Sequence, residues 1–325
     1  MRPSWRGACP PAPQGPERPV KLKRLLAVLL SLGLLAWLAA DGRWRELGET
    51  IGRLDPQAVA IAATGFAASY LLRALRVYDE FRGSAHGRFG ACLRIVLIHN
   101  AMVNVVPFRG GEAAFPMLLG RTFGTPLPRA IASLFWFRLQ DAFVVAIVAA
   151  LIWPGLPLPL RAGGILCLIA AAWFLPRWAR RPHNWNERGA FTGKLAKLRD
   201  AFAESAAHAR YGWLWTVTNW MVKLAAQAWL LGALLAAPLA VGASGALGAE
   251  LAAILPIQGV AGFGTYEAGA AAALLPAGID IAAGLRAALA LHLFVIACAV
   301  TAGAIASLFP NAGPTTDGRH PNTSL

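Results

Sequence analysis

The sequence predicts an all-α polytopic membrane protein with about six full spans, two re-entrant helical hairpins and an inverted repeat. Of its 325 residues, 57% are hydrophobic and 14% are charged, and the mean hydropathy is +0.52. A soluble domain does not bury that much apolar surface. Two polar motifs with proline and glycine, residues 107–112 and 256–267, also interrupt apolar sequence in the two halves of the chain. Such paired breaks indicate unwound backbone at a membrane site.

The domain organisation follows from composition along the chain. The first and last segments are polar, and the first is rich in proline, glycine and arginine, so we expect two disordered tails around one membrane domain. The predicted units are tails at 1–20 and 310–325 and a transmembrane domain at 21–309, with half-repeats of about 21–153 and 158–309 and a basic loop at 177–210.

Six apolar segments account for the predicted full spans. They are Leu25–Ala40, Gln57–Leu72, Ala130–Trp153, Leu158–Leu175, Trp213–Ala237 and Ala282–Phe309. Within the basic loop, the segment Phe191–Ala207 has the pattern of an amphipathic interfacial helix.

The charge distribution gives the expected topology. A formal charge of +14 would suggest nucleic-acid binding in a soluble protein, but these basic residues cluster in a few loops. That clustering is typical of membrane topology and anionic lipid contact, and no nucleic-acid motif is present, so we expect no nucleic-acid partner. The N-terminal tail and the loops 73–90 and 177–210 are therefore expected to be cytoplasmic, as are both termini.

This topology makes residues 91–120 begin and end on the same side of the membrane, and the same holds for 244–278. A hairpin that enters, turns at the motif and returns satisfies both constraints. The alternative makes each hairpin arm a full span, although the arms are short for that. In the hairpin arrangement the two motifs face each other, and their irregular backbone lines a shared cavity.

The first motif contains Pro107, Arg109, Gly110, Gly111 and Glu112. If a half-helix starts near Gly110, its free amides and Arg109 would suit a phosphate group. Glu112 would then pair with Arg109 or carry a proton. The structural alternative is an ion pair that only holds the hairpin together.

The second motif contains Gly262 and Gly264 followed by Glu267. The glycines permit tight turns and close approach of the backbone, and Glu267 would shape the cavity or couple protons. The structural alternative is a glycine turn capped by the glutamate. Lys223 lies in the middle of a predicted span and needs an anionic partner, for which Glu250 and Glu267 are the candidates.

Two further polar positions are candidate cavity residues. Arg138 and Asp141 lie three apart on one face of a predicted span, where they either neutralise each other or place Arg138 at a lipid phosphate. Asn104, on the first arm of the first hairpin, either lines the cavity or makes a hydrogen bond between helices.

An intramembrane hydrolase is the enzymatic alternative. Ser244 lies in a Gly-Ala-Ser-Gly segment that resembles the motif of rhomboid proteases, and His292 lies in the last span. The segment is surrounded by small residues, where this motif arises easily by chance, and it would leave both polar motifs without a role. We therefore expect no enzymatic activity, no cofactor and no metal site.

At the two motifs the chain resembles the flippase-like transmembrane domain of lysylphosphatidylglycerol synthases. The resemblance covers roughly residues 20 to 310 and rests on a set of matching positions: Asn104, Pro107, Arg109, Gly111, Glu112, Leu118, Leu119, Gly120, Arg121, Arg138, Asp141, Pro256, Gly259, Gly262, Gly264 and Glu267.

The resemblance implies an integral protein of the inner (plasma) membrane that moves a lipid between leaflets, without the aminoacyl-transfer activity of full-length synthases. Membrane lipids are the implied partners. A non-transporting scaffold that hands lipid to a lipid-biosynthesis enzyme is the alternative. The sequence leaves the identity of the lipid and the oligomeric state open.

Overall fold

The structure is a computed structural model that describes residues 43–52, 54–153, 155–185, 189–208, 210–254 and 260–309, together with Leu29 and Ala36. The predicted tails and the predicted first span, Leu25–Ala40, otherwise lie outside the described residues. The described chain is helical throughout its regular structure, as the sequence predicts for an all-α membrane protein.

Twelve α-helices occur in the described residues. They are α1 (Arg43–Gly52), α2 (Pro56–Glu80), α3 (Arg82–Ala85), α4 (Phe89–Val105), α5 (Ala114–Phe123), α6 (Leu127–Ile152), α7 (Leu158–Ala179), α8 (Ala190–His208), α9 (Gly212–Leu235), α10 (Leu239–Ile254), α11 (Thr265–Leu274) and α12 (Ile281–Leu308). Short 3₁₀ turns cover Pro107–Ala113, Val260–Gly262 and Leu275–Ala277.

The helix boundaries follow from local chemistry. Asp55 caps α2, where its carboxylate accepts a hydrogen bond from the Gln57 amide, and Pro56 occupies the first turn. Asp280 caps α12 in the same way through two amides. Gly124 ends α5 in the left-handed conformation, with a φ of 67°, that a side chain would disfavour.

Four helices are long and apolar enough to cross a membrane: α2, α6, α7 and α12. The helices α9 and α10 meet this criterion as a pair bent by 116°. Five of the six predicted spans thus correspond to described helices. The predicted interfacial helix Phe191–Ala207 corresponds to α8, whose Phe202 packs against Trp136 of α6.

The first hairpin consists of α4, the 3₁₀ turn and α5. Its two ends lie together, because the guanidinium of Arg88, just before α4, donates to the carbonyl of Thr122 near the end of α5 at 3.4 Å. With ten residues, α5 is only about 15 Å long, half of a hydrocarbon core of about 30 Å. The arms therefore enter and leave on one side, as the hairpin prediction requires.

The second hairpin consists of α10, the turn that includes Val260–Gly262, and α11. Its arms are antiparallel and nearly in backbone contact, since a Cβ added at Gly248 would collide with the carbonyl of Gly269. Further along, a Cβ at Gly245 would lie 3.0 Å from the Leu274 side chain. Small residues thus permit close helix approach, as is common in membrane proteins. The arm α11 also has ten residues, too few to cross the membrane alone.

The order long helix, hairpin, long helix occurs twice, as α2–α4–α5–α6 and as α9–α10–α11–α12. The two leading helices of these sets, α2 and α9, pack antiparallel. Near one end, a Cβ at Gly65 would lie 2.6 Å from Ala226. Near the other, the Tyr211 amide donates to Asp79 at 2.6 Å. Antiparallel packing of corresponding helices is what an inverted repeat produces.

The hairpins consequently enter from opposite ends of the bundle. We call the end with Arg82, Arg88, Arg121 and Arg129 the basic face and the other end the opposite face. The first hairpin opens at the basic face and the second at the opposite face. Their 3₁₀ turns contact each other inside the bundle, so the two sequence motifs meet, as predicted.

Candidate functional site

The meeting point of the hairpins contains most of the predicted cavity residues. Asn104, Gly111 and Glu112 belong to the first hairpin, and Gly262, Gly264 and Glu267 belong to the second. The backbones of Pro107 and Arg109 lie in the first 3₁₀ turn, but their side chains lie outside the described part of the structure, as does the segment 255–259.

The first turn differs from the predicted half-helix start at Gly110. The chain forms a 3₁₀ turn from Pro107, and the α-helix begins only at Ala114. The turn lies so close to the preceding arm that a Cβ at Gly111 would collide with the carbonyl of Met102. Glycine is therefore required at this position to bring the turn against α4.

Glu112 is paired across the bundle with Arg138 of α6. The Arg138 guanidinium donates to Glu112 Oε1 at 2.7 Å, and His99 Nε2 of α4 lies 3.6 Å from Glu112 Oε2. The Arg138 side chain is 36% exposed, which makes it accessible from outside the bundle. The predicted cavity residues Glu112 and Arg138 are thus direct neighbours.

Asp141 has a different main partner from the one expected. Arg76 of α2 donates to its Oδ1 at 2.7 Å, and the Trp220 indole of α9 donates to the same oxygen at 3.0 Å. The distance from Arg138 to Asp141 is 3.9 Å, so mutual neutralisation of these two residues is not the principal contact. Arg76 also donates to the Phe137 carbonyl and to Gln140, each at 2.8 Å.

Arg73 and Arg76 correct the predicted start of the first basic loop. The sequence predicts that loop from residue 73, but α2 continues to Glu80, with Arg76 buried and Arg73 partly buried. Arg73 donates to Asn100 Oδ1 at 2.9 Å, and Asn104 Nδ2 donates to the Asn100 carbonyl at 2.7 Å. Asn104 therefore makes a bond within its own helix.

A second buried cluster joins this one through Trp220. Lys223 Nζ lies 2.7 Å from Glu250 Oε1 and 4.6 Å from the centre of the Trp220 ring. Of the two candidate partners of Lys223, Glu250 is therefore the one that pairs with it. Gln227 donates to Glu250 at 2.7 Å and to the Tyr266 hydroxyl at 3.0 Å. Tyr266 belongs to α11, so the polar contacts reach the second hairpin.

At the second motif, Glu267 is fully buried and caps α11. Its Oε2 accepts the Gly264 amide at 2.7 Å, and its Oε1 lies 2.6 Å from His292 Nδ1 of α12. Gly262 and Gly264 have φ of 88° and 87°, a region that favours glycine. The structural alternative for Glu267, a glycine turn capped by its carboxylate, is thus present. His292 stacks on Tyr266 with ring centres 4.4 Å apart.

These contacts connect the two hairpins through the interior of the bundle. Leaving aside the Glu267–His292 pair, the described residues in and beside these contacts include more cations than carboxylates. The cations are Arg73, Arg76, Arg138 and Lys223, and the carboxylates are Glu112, Asp141 and Glu250. Charges at membrane depth require partners, so the unbalanced cation favours an anionic ligand group. Within the described residues, Arg73 has an amide partner but no carboxylate within 4.0 Å.

The hydrolase dyad is not assembled in this arrangement. The Ser244 hydroxyl donates to the Ala240 carbonyl of its own helix at 3.1 Å, whereas His292 pairs with Glu267. Among the described residues, no group of three or more His, Cys, Asp and Glu side chains has the arrangement of a metal site.

Comparison with known proteins identifies the family. The sequence profile described as the lysylphosphatidylglycerol synthase TM region matches residues 24–303. The chain belongs to this family. The match includes the described residues of both hairpins and of the four helices long enough to span a membrane, except for the end of α12 after residue 303. No curated protein matches the chain at a significant level.

Proposed function

We propose that this chain binds the head group of a membrane lipid where the hairpin tips meet and carries that lipid between the leaflets. The observation that carries the proposal is the meeting of two half-crossing hairpins from opposite faces beside an ionic cluster with a surplus cation. The family takes its description from lysylphosphatidylglycerol synthase, whose name is that of a phospholipid-forming enzyme, and this supports a lipid as the cargo.

The two hairpins suit this role because each contains helices that end inside the bundle. Unwound backbone at membrane depth is tolerable only against protein or a polar cavity. Each tip therefore offers polar groups at a depth where a lipid head group has no other partner during its crossing. The opposite openings of the hairpins would give access from the two leaflets in turn.

Arg138 is the residue through which the head group would engage. Its side chain is 36% exposed, against 5% for Arg76, and Glu112 occupies it at 2.7 Å in this structure. An anionic head group would compete with Glu112 for the guanidinium, which can bind phosphate or carboxylate oxygens in pairs. Release would restore the Glu112–Arg138 pair. By the charge rule the basic face would be cytoplasmic, in the plasma membrane.

Leaflet exchange in reconstituted vesicles tests the proposal. Vesicles would contain a trace of fluorescent phosphatidylglycerol, and dithionite would bleach the outer leaflet. We expect rapid exchange with the wild-type chain and about a 10-fold or greater loss with Arg138→Gln, since a hydrogen bond to a charged group contributes about 1.5–3 kcal/mol. Arg286→Gln is the matched control, because Arg286 pairs with Glu46 on the opposite face.

Unchanged exchange in a folded Arg138→Gln protein would contradict the site assignment. Absence of exchange with the wild-type chain, in vesicles where the protein is folded, would contradict transport and favour the accessory scaffold. Size-exclusion profiles and melting temperatures of both variants establish that they are folded.

A further inference from the structure

A second polar feature lies at the basic face, far from the hairpin tips. The end of α7, the segment that follows it and α8 form an open cleft of about 510 Å³. Its lining includes the basic residues Arg180, Arg181 and His183, the carboxylates Asp200 and Glu204, and the small residues Ala179 and Ala203. The central cluster does not use this cleft, and its residues come from helices outside the repeated set.

The cleft lies where a membrane surface would be. Immediately before it, α7 exposes Trp173 and Phe174, which are 59% and 48% exposed. The guanidinium of Arg177 stacks on Trp173 at 3.8 Å, and that of Arg181 lies 5.9 Å from the ring centre of Phe174. Aromatic rings with arginines above them are typical of the level of lipid head groups.

The cations around the cleft exceed the available carboxylates. Asp200 is held by His183 at 2.8 Å, and Glu204 is paired with Arg129 of α6. Arg177 and Arg180 donate hydrogen bonds to the carbonyls of Trp173 and Pro176, respectively. In the described part of the chain, neither these two arginines nor Arg181 has a carboxylate within 4.0 Å.

The cleft is held in shape by a buried arginine. Arg199 lies between the rings of Trp178 and Trp185, 4.4 and 4.9 Å from their centres. It donates to the carbonyls of Trp178 and Arg181 at 2.7 and 2.9 Å. These contacts fix the backbone that bears Arg180 and Arg181, so the two cations project from a fixed segment.

From these observations we propose that the cleft between α7 and α8 binds the phosphate group of an anionic phospholipid from the leaflet at the basic face. The unpaired arginines supply the positive charge, and the exposed aromatic side chains contact the upper acyl chains. This site is separate from the lipid exchange proposed above, because its lining residues belong to the end of α7, the segment that follows it and α8.

A lipid titration of the purified full-length chain tests this site. Native mass spectrometry would count bound dihexanoyl phosphatidylglycerol, with dihexanoyl phosphatidylcholine as the zwitterionic comparison. We expect the double variant Arg180→Gln/Arg181→Gln to need about 30-fold more phosphatidylglycerol to fill one site, since each arginine near a charged surface contributes about fivefold. The control Arg45→Gln/Arg286→Gln, on α1 and α12, also removes two positive charges but lies away from the cleft, and it should bind like the wild type.

A third variant separates the cleft from a diffuse basic surface. Ala203→Phe fills the cleft without changing charge, and it should also remove one bound phosphatidylglycerol. Equal binding of the two lipids, or wild-type binding by the double glutamine variant, would overturn the proposal. The proposal would also be overturned if the double glutamine variant lost binding while Ala203→Phe still bound phosphatidylglycerol like the wild type. Competition by inorganic phosphate at concentrations as low as those of the lipid would identify a free-anion site instead.

Discussion

Replacement of Asp141 by asparagine tests the buried ionic cluster. Arg76 donates to this carboxylate at 2.7 Å, and its side chain is only 5% exposed. The asparagine keeps an oxygen that can accept from Trp220, but it removes the negative charge. Arg76 would then lie buried beside a neutral amide, with Arg73 and Arg138 as like-charged neighbours.

The expected loss of stability is large. Breaking a buried ion pair by removing one partner costs about 3–5 kcal/mol, because the remaining charge is left without compensation. Replacing both partners, in Arg76→Met/Asp141→Leu, should restore much of that loss, since well-packed apolar residues often replace a buried pair with little cost.

The assay is unfolding of the detergent-solubilised protein, followed by circular dichroism and tryptophan fluorescence. Asp280→Asn is the matched control, because Asp280 caps α12 from an exposed position and asparagine caps helices about equally well. Its stability should lie within about 0.5 kcal/mol of the wild type. If Asp141→Asn is no less stable than Asp280→Asn, the assignment of Arg76 and Asp141 as a buried ion pair is refuted.

The hairpin glycines give further predictions, measured as melting temperatures. Gly264→Ala should destabilise the protein by about 1–2 kcal/mol because its φ of 87° disfavours a Cβ, whereas Gly163→Ala in α7 meets no neighbouring atom and should not destabilise. Equal effects of the two would refute the turn geometry. Gly248→Val should lower the free energy of unfolding by about 1–3 kcal/mol or more, because the valine side chain would push α10 away from Gly269 of α11. An unchanged melting temperature would contradict that close packing.

The hairpins could be predicted from sequence because two independent signals agreed. Proline and glycine mark the turns, and the basic loops require each hairpin to return to its starting side. The exact start of the half-helix could not be read in this way. Pro107 favours a turn, but whether a 3₁₀ turn continues to Ala113 depends on contact with α4, which local sequence does not encode.

The arginines of α2 were misplaced for a physical reason. The charge rule counts arginines near the ends of apolar runs, so Arg73 and Arg76 were assigned to a loop. No proline or glycine lies between Leu72 and Glu80, however, so the sequence allows the helix to continue past Arg73 and Arg76. In the structure it does continue, and Arg76 pairs with Asp141, which Arg138 approaches only to 3.9 Å.

The choice between Glu250 and Glu267 as the partner of Lys223 could not be made from sequence. Both lie in the second hairpin, and spacing along the chain does not say which faces α9. The structure resolves it because α10 packs directly against α9 and brings Glu250 to 2.7 Å, while Glu267 is engaged by its own turn and by His292.

The entry of the two hairpins from opposite faces is tested most directly by labelling single cysteines in sealed vesicles. The native cysteines would first be replaced, and single cysteines would then be introduced as Ser84→Cys or Ala277→Cys. Ser84 lies at the basic face beside the first hairpin, Ala277 lies at the end of the second, and both are exposed. A membrane-impermeant maleimide should label the two positions from opposite sides of the membrane. Labelling of both from the same side would contradict the meeting of two oppositely oriented hairpins.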